Sequence, residues 1–404
     1  MIGNVSLWAR HERVGVSHMR KVSHVRDRYR FLGLLAAGVL VALVLMPSVG
    51  AARPEFAARQ NESCLKCHYT PMGGGMRNDR GVMAEQKLSL KATKEALEDY
   101  KDYTEFDPAL NETIRLGADL RVMWHDIAND ESQPSEDAAS TFYTMQAMGY
   151  VNARLLPVLQ FTGGYDVAQN LMEGWGMIDN LPAGLYLRAG RFILPYGLRM
   201  DDHTLFTRSA IGFGVASQDS GVEVGIAPGP FFLTAALTNG NLGEQAMDRD
   251  GDYYAVTGQT GVRFWKMGLG FSGFHNVRDG FTRDIYGPWF TLGVWRLAFL
   301  GEFDFVAQEV DNVADPTKED KIASAASFIE VEAKIIDGLY AVARYSHFDP
   351  DLEVDENFVD QTMGGITFYP VPYVHTMLQF RQNREADPLK INNDEIMIQG
   401  HVFF

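Results

Sequence analysis

The chain has 404 residues, with 36 basic and 52 acidic side chains and a formal net charge of -16. That balance leaves nothing to neutralise a phosphate backbone and excludes nucleic acid as a partner, while a single long apolar run excludes a polytopic helical membrane protein. The 39 Gly and 12% aromatics suit an all-β protein, and 2 Cys are too few for a disulfide framework.

The positive charge is concentrated at the start. Arg20, Lys21, Arg26, Arg28 and Arg30 precede an apolar stretch over 31–46, and Pro47-Ser48-Val49-Gly50-Ala51 follows with small residues at Val49 and Ala51. This layout predicts a secretory signal peptide over residues 1–51 and a mature protein outside the cytoplasm. A transmembrane anchor is the competing reading, for which the apolar core is short. Met19 is an alternative start that leaves a signal of more ordinary length.

Cys64-Leu65-Lys66-Cys67-His68 follows the cleavage site as C-x-x-C-H, the pattern for covalent attachment of one c-type haem. Two thiols at this spacing add to the haem vinyl groups, and His68 is placed to bind the iron from one side. A thioredoxin-like pair needs a βαβ context that is missing, and a zinc site needs a second pair of ligands. Met72, Met76 and Met83 are the candidates for the sixth iron ligand, or else pack at the porphyrin edge. Arg77 and Arg80 are placed to pair with haem propionates, or stand solvated in a polar loop. The Gly73-Gly74-Gly75 run lets backbone pass close to a cofactor. The haem segment spans 52–84, and the polar stretch 85–113, with a short helix around 91–101, reads as a linker.

From Ile114 onward, segments of period-two alternation are separated by turns. Ile114, Leu116, Ala118, Leu120, Val122 and Trp124 share one face of the first segment, with Arg115, Asp119, Arg121 and His125 opposite. Phe231, Leu233, Ala235 and Leu237 alternate with Thr234 and Thr238; Ile329, Val331, Ala333 and Ile335 alternate with Glu330, Glu332 and Lys334. Val374, Thr376, Leu378 and Phe380 alternate with His375, Met377, Gln379 and Arg381. Tight turns near 156–157, 181–182, 228–229, 266, 296, 337–338 and 370–371 alternate with long polar loops such as 126–140, 194–217, 240–251, 309–321 and 349–357. Short turns on one side and long loops on the other predict a sixteen-stranded antiparallel transmembrane β-barrel over 114–404, set in outer-membrane lipid. Trp124, Trp265, Trp289, Trp295, Tyr345, Tyr369 and Tyr373 are expected in the interfacial girdles.

The last segment, with Ile396, Ile398, Gly400, Val402 and Phe404 on one face, resembles the assembly signal of Gram-negative outer-membrane barrels. Residues 190–198 are similar to a stretch of phosphate- and oligosaccharide-type porins. Signal peptide, Phe56-Ala57-Ala58-Arg59-Gln60, the Cys64 to His68 motif and barrel, in that order, resemble the outer-membrane fused monohaem cytochrome–porin family of iron-oxidising bacteria. The resemblance implies a small haem segment within or against the barrel lumen. It also implies electron passage between an extracellular donor or acceptor, Fe(II) foremost, and a periplasmic c-type cytochrome. The run from Pro71 to Arg77 is instead similar to haem segments in barrel proteins of metal-cycling deltaproteobacteria, which leaves substrate and electron direction open.

An apolar band about 25 Å tall is too thick for an electron to cross without an intermediate stop, so a haem in the lumen makes the barrel a conduit. Arg115, Asp119, Arg121, Arg154, Glu302, Asp304, Glu330, Glu332, Lys334, Arg344 and Arg381 are expected on the lumen face, to bind a plug, line water or both. His125, His203, His275 and His347 fall near the outer ends, and Asp201-Asp202-His203 reads either as an Fe(II) contact or as solvated loop. Two other readings compete: a passive solute porin whose haem segment hangs in the periplasm as a sensor or docking point, and a haem enzyme with an open sixth position.

Overall fold

Alternating side chains put one polar and one apolar face on each segment, and in the computed structural model these segments close into an antiparallel barrel. The structure describes residues 54–60, 62–85, 87–90, 107–128, 140–214, 216–242, 253–311, 319–386 and 393–404. The signal peptide, the helix expected around 91–101 and the centres of several long loops lie outside the described residues.

Among the described residues there are sixteen strands. The first are β1 (Ile114–Ile127), β2 (Ser140–Leu156), β3 (Leu159–Asp166), β4 (Leu171–Ile178) and β5 (Tyr186–Ile193). The wall continues through β6 (Gln218–Ile226), β7 (Phe231–Thr238), β8 (Tyr254–Phe264), β9 (Met267–Arg278), β10 (Phe281–Val294) and β11 (Leu297–Asp311). It is completed by β12 (Glu319–Ile336), β13 (Leu339–Asp349), β14 (Val359–Val371), β15 (Val374–Glu385) and β16 (Glu395–Phe403). Each strand pairs with its sequence neighbours, and β16 returns to β1 with Phe403 opposite Asp119. Ala118 and Phe404 donate backbone N–H groups to each other's carbonyls at 3.2 and 3.0 Å, so the terminal residue belongs to the seam. Closure leaves no unpaired edge, the condition for a sheet to stand in hydrocarbon.

The expected faces are present. Leu116, Leu120 and Val122 point outward and are exposed, whereas Asp119 and Arg121 are buried inside. The same parity separates Leu233 and Leu237 from Thr234 and Thr238, Ile329 and Ile335 from Glu330 and Glu332, and Leu378 and Phe380 from Gln379 and Arg381. Each large apolar side chain left facing water forgoes about 1.5–3 kcal/mol, so a wall of them has lipid as its solvent. Connections β2–β3, β8–β9, β10–β11, β12–β13 and β14–β15 are tight turns; by the usual asymmetry these mark the periplasmic rim.

Three expectations are corrected. Trp289, Tyr369 and Tyr373 are buried and take no part in an outer girdle, whereas Trp265, Trp295 and Tyr345 are exposed. Trp289 sits at an inward position of β10 and stacks on Phe232 with ring centroids 5.8 Å apart. The turn placed at 370–371 falls two residues later, because Val371 pairs with Val374 and leaves Pro372 and Tyr373 at the tip. The two ends of the region 309–321 are strand, β11 and β12 pairing out to Asp311 and Glu319, and 312–318 lie outside the described residues.

Among the described residues, two pieces of chain occupy the lumen. The first contains α1 (Pro54–Gln60) and α2 (Asp79–Glu85) and continues to Leu90. Helix α1 lies against β10 and β11, where Gly293 is required: a Cβ there would stand 2.4 Å from the Arg59 Cα. Phe56 and Leu88 pack with Tyr340, Tyr369 and Phe403 on one wall. Tyr69 and Met76 pack with Met148, Tyr150 and Trp175 on the other, so this piece bridges the periplasmic half of the lumen. The second piece is the β5–β6 connection, which carries α3 (Phe206–Ser209) inward against β11, β12 and β13.

Candidate cofactor site in the lumen

Cys64–Lys66 form one 3-10 turn, closed by the N–H groups of Cys67 and His68 donating to the Cys64 carbonyl at 3.0 and 2.9 Å. This turn brings the two sulfurs and the imidazole to one side. Asn78 holds it from behind: its Nδ2 donates to the Leu65 and His68 carbonyls at 3.2 and 3.4 Å, and its Oδ1 caps α2 by accepting from the Gly81 N–H at 3.1 Å. Its position just before a helix is the sequence signal that could have found it. Tyr69 donates its N–H to the Met76 carbonyl at 3.2 Å, pinching 70–75 into a loop. Gly73, Gly74 and Gly75 all have positive φ, which only glycine adopts freely.

A cavity opens beside this turn, lined by Cys64, Cys67, His68, Met72, Gly73 to Gly75, Arg77, Arg121 and Arg199. Both cysteines are free thiols, and burial pushes each thiol up from its ordinary value. His68 is buried, and burial, reinforced by Arg77 and Arg199, lowers it to about 3, so its ring is neutral. Its Nδ1 has no hydrogen-bond partner among the described residues. A buried imidazole nitrogen left orphaned beside two thiols needs an explanation.

The other candidates separate clearly. Met72 is buried and lines the cavity, its sulfur accepting from Gln259 Nε2 at 2.9 Å. Met76 is buried in the packing against the wall, and Met83 is 60% exposed, away from the cavity. Arg77 lines the cavity, donates to Glu85 at 3.2 Å and lies 4.1 Å over the Phe403 ring. Arg80 is half exposed and pairs with Glu62 at 2.7 Å. Arg121 and Arg199, not singled out for the site, supply the remaining guanidiniums. Arg121 pairs with Asp119 at 3.0 Å, and Arg199 donates to the Gly73 carbonyl. Nothing in the linear order could have found them, because the barrel brings β1 and the β5–β6 connection to the N-terminal segment.

The charged lumen face binds both pieces of interior chain. Glu332 pairs with Arg59 at 2.7 Å, Glu302 with Arg208 at 2.8 Å, and Asp304 accepts from Tyr196 at 2.6 Å. Asp202 is held by Arg344 and Arg381 at 2.5 and 2.8 Å. The Asp201-Asp202-His203 cluster is therefore corrected as an outer contact: the loop folds inward, Asp202 is committed to the wall, and burial lowers His203 to about 4. His275 and His347 pair with Asp284 and Asp360, both at 2.7 Å, and His125 pairs with Glu395 at 3.0 Å.

No protein-family model matches the chain and no curated protein matches it. Solved structures do. Outer-membrane expressed OmpT of Vibrio cholerae is 11% identical with a TM-score of 0.54, over 74% of this chain and 100% of that one. The outer membrane channel DcaP of Acinetobacter baumannii is 10% identical, TM-score 0.54, over 74% and 99%. An anion-selective porin from Comamonas acidovorans is 12% identical, TM-score 0.53, over 72% and 99%. At these identities the likeness is one of fold; with the apolar outer wall it makes this chain a porin-like barrel of a bacterial outer membrane.

Proposed function

We propose that this barrel carries one covalent haem c on Cys64 and Cys67, with His68 as axial ligand, and passes electrons across the outer membrane. The observation that carries the reading is the position of the C-x-x-C-H turn inside the lumen, on a segment wedged between opposite walls. Cys64, Cys67, the neutral His68 and the adjoining cavity fit such a group. A haem held there would supply a one-electron iron couple. The chain's own residues do the rest: Asn78 fixes the turn, Met72 offers a thioether, and Arg77, Arg121 and Arg199 set positive charge where propionates would lie. Glu302 and Arg381 on the lumen face are 0% and 1% exposed, and each is paired with the β5–β6 connection. Arg121 stands six residues from the outer end of β1 at Ile127, about 20 Å of strand. That is a shorter gap than the whole apolar band. The arrangement supports membership of the cytochrome–porin fusions, with Fe(II) or another extracellular redox partner outside and a periplasmic c-type cytochrome inside.

A second reading, a passive solute porin with the haem segment as sensor or docking point, is favoured by different observations. The structural neighbours are channels and porins by name, and a further cavity lined by Tyr150, Glu173, Arg199 and Gln218 remains beside the plug. Sealed liposomes with a redox dye inside and Fe(II) outside separate the two. Reduction by the native protein but not by C64A/C67A supports the conduit; reduction by both means that reductant diffuses through an open pore. Reduction by neither defeats the conduit for this donor. A low-spin, six-coordinate spectrum removes the haem-enzyme reading.

A further inference from the structure

Another lumenal cavity has a wall unlike ordinary core. Five of its twenty lining residues are methionines, Met123, Met145, Met200, Met377 and Met397, against 17 in the 404 residues of the chain. Methionine usually fills gaps among aliphatic side chains. Here the one aliphatic lining residue is Val342, and the others include Glu330, Arg344 and Gln399. The thioethers already act as acceptors in this setting: Tyr143 donates to the Met123 sulfur at 3.0 Å and Gln379 to the Met377 sulfur at 3.1 Å.

Register explains how residues so far apart in sequence converge. Met123 on β1 and Met377 on β15 both stand opposite Gln399 of β16, so their Cα atoms are about 10 Å apart across two strand spacings. Met397 is one inward step along β16 and is paired with His125 and Gln379. Met145 is the extra residue of a β-bulge, where Arg121 pairs with Gln146 and Val122 with Thr144. A bulge re-aims a side chain, and this one turns Met145 into contact with Met123 and Met397. Met200 and His203 of the β5–β6 connection line the same cavity.

We propose that Met123, Met145 and Met397 form a binding site for one soft monovalent cation, Cu(I), in a cavity that Met200 and His203 also line. Thioethers are soft ligands that select Cu(I) over hard divalent ions, and an imidazole is compatible with the same ion. The carboxylates of its wall are paired with guanidiniums, Asp202 and Glu330 with Arg344 and Glu332 with Arg59, which leaves the ion to the thioethers. The site is distinct from the C-x-x-C-H turn and does not depend on it.

The test is an anaerobic titration of the full-length protein in detergent with Cu(I), against a colorimetric Cu(I) chelator, with C64A/C67A titrated in parallel so that any contribution of the thiols is read directly. The native protein is expected to retain one equivalent. M123L/M145L/M397L, which keeps side-chain volume, is expected to lose it by more than the about 10–100-fold that changes behind a ligand produce. M83L and M177L, altered at an exposed and a buried methionine elsewhere, should match the native protein. If the triple variant does not assemble, M123L and M397L singly should each weaken binding, and X-ray absorption of the Cu(I)-loaded native protein should report sulfur neighbours. No retained equivalent in the native protein, equal binding by the Leu variants, or a first shell without sulfur overturns the proposal.

Discussion

Asp202 is the residue on which closure of the lumen can be tested most directly. It lies in the β5–β6 connection, and its carboxylate accepts from Arg344 at 2.5 Å and Arg381 at 2.8 Å, in a place where all three side chains are nearly excluded from solvent. Asp202→Ala leaves two buried guanidiniums facing a methyl group. Breaking a buried pair costs about 3–5 kcal/mol; the lower end applies, because Arg344 keeps Glu330 at 2.7 Å and Arg381 keeps Thr204 and Gln379. About 3 kcal/mol is roughly a hundredfold in the ratio of seated to released loop. The loop retains the Arg208–Glu302 pair and the Tyr196–Asp304 hydrogen bond, so the single variant should show brief openings in planar-bilayer recordings. D202A/R208A should give sustained conductance. The pH dependence has a definite sign. Burial raises the Asp202 carboxyl, but Arg381 and Arg344 outweigh it and hold the group well below the usual carboxylate range. A depressed carboxyl contributes fully above its unfolded value near about 3.9 and is lost only as pH falls through the lower folded value. Acidification from pH 8 to 5 should therefore leave the native protein closed. A double variant as silent as the native protein, or native openings appearing by pH 5, would refute the idea that this clamp seats the loop.

Arg59→Ala removes the buried 2.7 Å pair with Glu332 and should cost the N-terminal segment about 3 kcal/mol of seating. Limited proteolysis should then release that segment while the barrel stays heat-modifiable on gels. Gly293→Ala, which places a methyl 2.4 Å from the Arg59 Cα, should give the same cleavage with no change of charge. Deleting Phe404 removes both hydrogen bonds to Ala118 at the seam, and pulse-chase assembly into outer membranes should slow. For haem-loaded protein, Met72→Leu should lower the reduction potential and Met83→Leu should leave it unchanged, read by redox titration.

The β-barrel was legible in the linear chain because a strand's side-chain period is two whatever surrounds it, and lipid on one side against protein on the other makes the contrast large. Ile329, Glu330, Val331 and Glu332 could be assigned to faces without knowing their neighbours. Aromatic residues were less readable: Trp265 and Trp289 look alike in sequence, yet one is exposed at the β8–β9 turn and the other stacks on Phe232, because rim and core both reward a large ring. The C-x-x-C-H motif was legible from spacing alone. Its surroundings were not, since Arg121 and Arg199 reach it from strands and loops that come together only when the barrel closes.

Local periodicity and spacing thus determined that this chain makes sixteen strands with an apolar outer wall and carries two thiols and an imidazole at cofactor spacing. Only the tertiary structure decided that the N-terminal segment and the β5–β6 connection both lie inside. That choice rests on ion pairs such as Arg59 with Glu332 and Asp202 with Arg344 and Arg381, which link residues more than a hundred positions apart. A buried charge accepts whichever opposite charge the closed wall brings to it, and that partner is a property of register and closure rather than of any stretch of sequence.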